Sequence, residues 1–334
     1  MNKPISPTFS SLVQEFFTDH MTQQRALSQQ TVASYRDSFL LLLRYAEQTL
    51  GKPACALALS DLNPKFIANF LDHLEHDRGN SPRSRNIRLA ALRSFLKFAA
   101  RRDIANLGII EQALAVPMKR FDRQMVGFLT REQMLAVIDI PTATWLGQRD
   151  HLLLMLMFNT GARVSEIVNV RVTDIVLGPT SCVRLHGKGR KQRTLPLWKE
   201  TTCEVRQWLR MNPELKPESA LLPRRDYQPM TRANVSSRLE RAVHAATIKH
   251  PELAKLNISP HMIRHTTAMG LLQAGTDVSN IALWLGHESP STTHMYVEAD
   301  LAMKERALAR LKPPDVKATR YRPSQGLMQF LQAL

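Results

Sequence analysis

Cysteine is scarce in this chain of 334 residues: Cys55, Cys182 and Cys203 are all it has, and none stands at CxxC or CxxH spacing. That excludes a disulfide framework and a cysteine-based zinc site, so all three read as structural residues. No run of about 18 apolar residues occurs, which excludes a membrane-spanning helix. The opening MNKPISPTFS also lacks the apolar segment of a signal peptide, so the expected location is the cytoplasm. Acidic residues are the third deficit: 29 Asp and Glu against 45 Lys and Arg leave a net charge of +16. Such a surplus points to a polyanionic partner, nucleic acid first, and to association with the nucleoid rather than with a membrane. The GxxxxGK[ST] phosphate loop is missing, and so are paired carboxylates and clusters with metal-ligand spacing. No metal and no cofactor is therefore expected.

What the chain does have is length and apolar content, 44%, sufficient for two cores. From about Thr8 to Arg102 apolar residues recur three and four apart, as in Phe66, Phe70 and Leu71 or Leu92, Phe95, Leu96 and Ala99. This spacing predicts a small all-helical domain over 8–105. Breaks fall at Gly51 to Pro53 and at RGNSP, where Ser81 and Pro82 suit the start of the last helix. That helix, PRSRNIRLAALRSFLKFAARR, carries seven basic residues and no acid. A helical wheel sets Arg93, Lys97 and Arg101 apart from the apolar stripe; with Arg83 and Arg85 they are the candidates for a phosphate backbone, against the alternative of a merely solvated basic face.

Residues 106–127 show no clear apolar period and contain MKRFDRQ, so they read as a basic linker. Beyond it Thr130 and Gln133 have capping-box spacing, and the very apolar RDHLLLMLMFNTG ends at Gly161 as a helix ends at a C′ glycine. In CVRLHGKGRKQRTLPL, Val183 to Leu185 and Arg193 to Leu197 flank a Gly-Lys-Gly turn and predict a hairpin. Its basic tip, Arg190 and Lys191, suits DNA contact, and Lys188 between two glycines is free to approach a ligand closely.

Four histidines lie between His261 and Tyr296. Ser259 and Pro260 open a helix on which His261 and Arg264, three apart, share a face near the N-terminus, where anions are favoured; His265 is expected to point elsewhere. His287 in WLGH and Tyr296 follow. Arg163, just after Gly161, can present a planar fork to two phosphate oxygens or pair with Glu166 or Asp174. Two arginines, a lysine, two histidines and a tyrosine suit metal-free phosphoryl transfer by covalent catalysis. A phenol with its ordinary pKa of about 10 needs cationic neighbours or a base to act at neutral pH.

NTGARVSEI, HGKGRKQRTLPL, SPHMIRHTTA and LGHESPSTTHMYV, in this order and spacing, resemble the boxes of the tyrosine recombinase (phage integrase) family, and the resemblance spans about residues 8 to 312. It implies a mainly α fold with a small β-hairpin or sheet, arranged as a two-domain DNA clamp. A SAM-like helical core-binding domain is followed by a mixed α/β catalytic domain over 128–312. It also implies that Tyr296 attacks a scissile phosphate, leaving a 3′-phosphotyrosyl link and a 5′-hydroxyl. In that scheme Arg163 and Arg264 hold the non-bridging oxygens, Lys188 protonates the leaving oxygen, His261 assists proton transfer with Tyr296, His287 bonds the transition state and Glu166 orients the pocket. Ala162, where the family often has Leu or Met, and a linker without the usual Asn-Pro start are the departures.

The implied partners are double-stranded recombination sites and further copies of the chain, a monomer in free solution and a tetramer on two sites, with room for an accessory recombinase. The tail 313–334 carries Leu327, Phe330, Leu331 and Leu334 at helical spacing and is a candidate for docking on a neighbouring protomer, or on its own domain. The run leading to LGH resembles integrases of mobile elements. A type IB topoisomerase shares this chemistry and a non-catalytic DNA-binding regulator explains the charge alone; both are rival expectations.

Overall fold

The structure, a computed structural model, describes residues 7–121, 127–187, 191–287, 293, 296 and 325–333. The chain divides into two compact units, 1–123 and 124–334.

The first unit is helical: α1 (Phe9–Glu15) running into a wider π-helical stretch (Phe16–Gln24), then α2 (Gln29–Leu50), α3 (Pro64–His76), α4 (Pro82–Ala99) and α5 (Leu107–Leu114). Thr8, Ser28, Asn63 and Ser81 each accept a hydrogen bond from the first turn of the helix they precede, satisfying amides that have no partner within it. Phe16 sits at the centre of the core, edge-on to Phe95 at 5.5 Å between centroids. The expected linker is not a linker along its whole length. Residues 107–114 form α5, and Ile110, Ala113 and Val116 join the core of the helical unit. Their three-residue spacing is too short a pattern to stand out beside Gly108 and the basic residues that follow.

Helix α4 uses its cations in two ways. Arg83, Lys97 and Arg101 are exposed, as expected of a surface for phosphates. Arg85 and Arg93 are not on that surface. Arg85 lies one turn before Leu89 on the buried stripe, only 8% exposed, with its Nε 3.7 Å from Glu75. Arg93 reaches back to the carbonyl of Val116 at 2.5 Å, and Arg88 holds Ser34 O and Ser38 Oγ on α2. A long side chain at the edge of an apolar stripe can lay its stem on the core and deliver its head to an orphan carbonyl.

The second unit contains α6 (Arg131–Ile138), α7 (Trp145–Thr160), α8 (Val164–Ile167), β1 (Ile175–Val176), β2 (Cys182–His186), β3 (Gln192–Pro196), α9 (Lys199–Met211), α10 (Arg232–Ala246), α11 (Pro260–Gln273), α12 (Val278–Leu285) and α13 (Gln325–Gln332). It is the mainly α architecture with a small sheet that the sequence predicts. The strands run antiparallel in the order β1-β2-β3, with Val183 opposite Leu195 and Leu185 opposite Arg193. Alternation buries Val183, Leu185 and Leu195, so the sheet lays one face on the helical core. Gly187 N–H donates to Lys191 O at 2.8 Å across the turn.

Helix α7 is buried on nearly every side and is the post on which the site is built. It ends at Gly161 with φ +60°, and a Cβ there would stand 2.7 Å from Leu285 Cδ2. Both the left-handed turn and the close approach of α12 therefore demand glycine. Thr267 of α11 clips the two helices together by donating to Phe158 O at 2.7 Å. On α13, Phe330 and Leu331 are exposed; the Leu327 side chain and Leu334 lie outside the described residues, as does 313–324. Among the described residues no helix is long and apolar enough to cross a membrane.

Candidate active site

The site forms where the ends of α7 and α12 meet the start of α11. Ser259 caps α11 by accepting from Met262 N–H, with Pro260 at the first helical position, as the sequence predicts. Arg264, one turn in, is 4% exposed and spends its guanidinium on two helix-terminal carbonyls, Gly161 O at 2.8 Å and Leu285 O at 2.6 Å. Burial first, then the charge of Arg163, lower its pKa to about 10, which leaves it a cation at neutral pH.

Arg163 follows Gly161 and precedes α8. Its backbone N–H donates to Glu166 Oε2 at 2.8 Å and its Nη1 to Glu166 Oε1 at 3.0 Å. Of the two acids open to it in the sequence, Glu166 is the partner; Asp174 instead holds His186 at 2.8 Å. Glu166 is 2% exposed and accepts a second arginine, Arg193 of β3, through both oxygens at 2.9 and 2.8 Å. Burial alone would raise the carboxyl's pKa, but the Arg193 bonds, the Arg163 amide and the two cationic charges bring it below the ordinary value. Glu166 is thus a fixed anion.

Three successive carbonyls at the end of α12 take three different arginines. Trp284 O accepts from Arg193 Nε at 2.8 Å, Leu285 O from Arg264 at 2.6 Å and Gly286 O from Arg163 Nη2 at 3.1 Å. A helix C-terminus carries unpaired acceptors and the negative end of the dipole, so it suits this role. Three cations around one carboxylate leave the pocket with a positive surplus, which is what an anionic substrate requires.

Tyr296 is 2% exposed in this pocket. Its oxygen lies 2.8 Å from His265 Nδ1, and its ring stacks with that of His287 at 6.2 Å, 16° from parallel. Burial pushes the phenol pKa up, opposed by Arg264 and then Arg163, whose charges act on it. His287 Nδ1 meets Thr293 Oγ1 at 2.7 Å. His261 is solvent-exposed, with its ring 6.5 Å from that of His265.

The expectation that His265 points elsewhere is wrong. At about 100° per residue, His265 is only about 40° from His261 around the helix, nearer than Arg264 is. A spacing of four keeps side chains on one face, and that was the available signal. Arg193 was also missed. On β3 it is two residues from buried Leu195 and so on the core-facing side, where an arginine needs a partner. Of the other candidates, Arg163, Glu166, His261, Arg264, His287 and Tyr296 come together, Lys191 is exposed at the hairpin, and Lys188 and Arg190 lie outside the described residues.

The three histidines have depressed pKa values. His265 is lowered to about 4 by burial, then by His261 and Arg264; His287 is lowered to about 4 by burial, then by Arg264 and Arg163. His261, open to solvent on one side only, is lowered by partial loss of hydration, then by Arg264 and Arg163. Neutral imidazoles can each accept a proton or donate one hydrogen bond.

A phenol ringed by cations and neutral imidazoles, with the one carboxylate of the pocket's described residues locked in ion pairs, defines a phosphoryl-transfer class of site. The comparisons with known proteins agree. The phage integrase family profile matches residues 127–303, and the profile of the phage integrase N-terminal SAM-like domain matches 14–103. The chain is 41% identical over 328 residues to the Sinorhizobium fredii protein y4rC, an integrase/recombinase by its name, covering 98% of each. It is 28% identical to the tyrosine recombinase XerC of Psychromonas ingrahamii over 287 residues, 85% of this chain and 90% of that one. Among solved structures, the XerH site-specific recombinase bound to its difH substrate after cleavage superposes with a TM-score of 0.68 at 19% identity, over 90% of this chain and 84% of that one. The chain belongs to the phage integrase family and is a tyrosine-type site-specific recombinase.

Proposed function

We propose that this protein cuts and rejoins double-stranded DNA at specific sites through Tyr296. The phenol oxygen bonds to a scissile phosphorus as the bond to the 5′-oxygen breaks; the 5′-oxygen leaves with a proton from Lys188, and the 3′-phosphate stays on the tyrosine. One phosphodiester is exchanged for another, so a 5′-hydroxyl of a second duplex can reverse the step without an external energy source. Arg163 and Arg264 neutralise the non-bridging oxygens, His261 assists proton transfer at Tyr296 and His287 bonds the transition state. Glu166 and the α12 carbonyls hold the guanidiniums at fixed positions, so little reorganisation is needed when charge develops.

The observation that supports this reading best is the burial of the Tyr296 phenol within reach of the charges of Arg264 and Arg163, with no rival tyrosine in that pocket among the described residues. Strand exchange between two sites calls for four copies on DNA, and the exposed Phe330 and Leu331 of α13 offer an apolar contact for a neighbouring protomer. Likeness to integrases suits a mobile element and a cytoplasmic, nucleoid-bound enzyme.

The test is a nicked suicide duplex that traps covalent protein–DNA adducts. Wild type forms the adduct and Tyr296→Phe does not; an adduct with the variant refutes Tyr296 as the nucleophile. Relaxation of supercoiled DNA lacking a site, without recombinants, would instead mark a topoisomerase.

A further inference from the structure

We propose that His265 is the group that takes the proton from Tyr296 when the phenol attacks, and returns it when the strand is resealed. The inference rests on the reading of Tyr296 as nucleophile. His265 Nδ1 is 2.8 Å from the phenol oxygen, the distance of a direct hydrogen bond, and the two rings meet at 5.5 Å and 56°. No other described side chain is hydrogen-bonded to that oxygen.

The other candidate acceptors among the described residues are occupied or stand beyond hydrogen-bond distance of the phenol oxygen. His287 lies parallel to the phenol ring rather than in line with its hydroxyl, and its Nδ1 is held by Thr293. His261 is one turn before His265 and stands against it at 6.5 Å. Glu166, the pocket's carboxylate among the described residues, has both oxygens covered by Arg163 and Arg193.

Burial, His261 and Arg264 keep His265 uncharged, so the ring carries a single hydrogen, and with that hydrogen on Nε2 the Nδ1 accepts from the phenol. An imidazole this weak does not ionise the phenol beforehand. It accepts the proton as the oxygen–phosphorus bond forms and the phenol's acidity rises, and the incoming phosphate's negative charge raises the imidazole's basicity at the same moment. The balance is closed: the proton leaves Tyr296 Oη for His265 Nδ1, the electron pair of Oη goes to phosphorus, and the pair of the breaking bond goes to the 5′-oxygen.

The experiment measures single-turnover adduct formation on the suicide duplex with His265→Asn and His265→Ala. Asn keeps a short acceptor near the phenol but cannot take a proton. DNA binding is expected to stay near wild type, while Asn slows adduct formation about 10²-fold or more. Added imidazole is expected to recover activity in the Ala variant, which leaves a space of the right shape. Wild-type rates in His265→Asn overturn the inference. So does a slow His265→Ala variant that imidazole leaves unchanged, since the defect is then one of packing. Neither result touches the nucleophile itself, which Tyr296→Phe tests separately.

Discussion

Arg193 closes over both oxygens of Glu166, at 2.9 and 2.8 Å, and with its third nitrogen holds Trp284 O at 2.8 Å. These bonds tie the sheet, α8 and α12 to one another. Replacing it by Met leaves a buried carboxylate with only Arg163 for a partner. Losing one member of a buried pair costs about 3 kcal/mol or more. Urea unfolding of Arg193→Met should show that loss, and Arg193→Lys should recover only part of it because an ammonium lacks the planar fork that holds both carboxylate oxygens and Trp284 O together. A variant as stable as wild type contradicts the role.

Gly161→Ala should destabilise the second unit by about 2 kcal/mol or more, from the left-handed backbone conformation and from the collision with Leu285. The same collision displaces Arg264 from its carbonyls, so adduct formation should fall along with the melting temperature. A change in stability alone would mean that α12 adjusts freely.

Acid should weaken the fold before any carboxylate titrates. His265 and His287 are held to about 4 in the folded protein, burial being the main cause, against an ordinary value of about 6.5 when unfolded. Between these limits the unfolded chain binds more protons, so stability rises with pH from about 4 to about 6.5 and is lost on going down. Glu166, also depressed, adds a loss of the same sign below the ordinary carboxylate range. Melting temperature should drop from pH 7 to pH 5, and less steeply in His265→Asn; a flat profile refutes the burial of these rings.

The cations of α4 should separate into two groups. Ala at Arg83, Lys97 or Arg101 is expected to lower the salt dependence of DNA binding by about one unit of slope each, with the fold intact. Ala at Arg85 or Arg93 should lower stability and leave that slope nearly unchanged, because these side chains serve Glu75 and Val116. Equal slopes for all five would contradict the inward placement.

How much of this was legible depends on whether the chemistry was local. Ser81, Thr130, Ser259 and Gly161 announce helix ends because a cap acts on its own first or last turn, and His261 with Arg264 share a face by spacing alone. The direction of Arg85 and Arg93 was not legible: a basic residue beside an apolar stripe reads the same whether it faces water or a carbonyl from another helix. Helix α5 was hidden for a similar reason, since its stability comes from a core supplied by α3 and α4. Arg193 and Glu166 lie 27 positions apart, and only the sheet brings them together.

The end of α12 gives the pocket a property that no single side chain has. Because Trp284, Leu285 and Gly286 each hold a different guanidinium, unwinding that last turn would take one anchor from each of them at once, leaving Arg264 on Gly161 O and Arg163 and Arg193 on Glu166. The three cations are therefore positioned jointly by one helix end. A small displacement of that end would shift the whole set of guanidiniums together, so the aim of the pocket is tuned at one place in the backbone and not side chain by side chain.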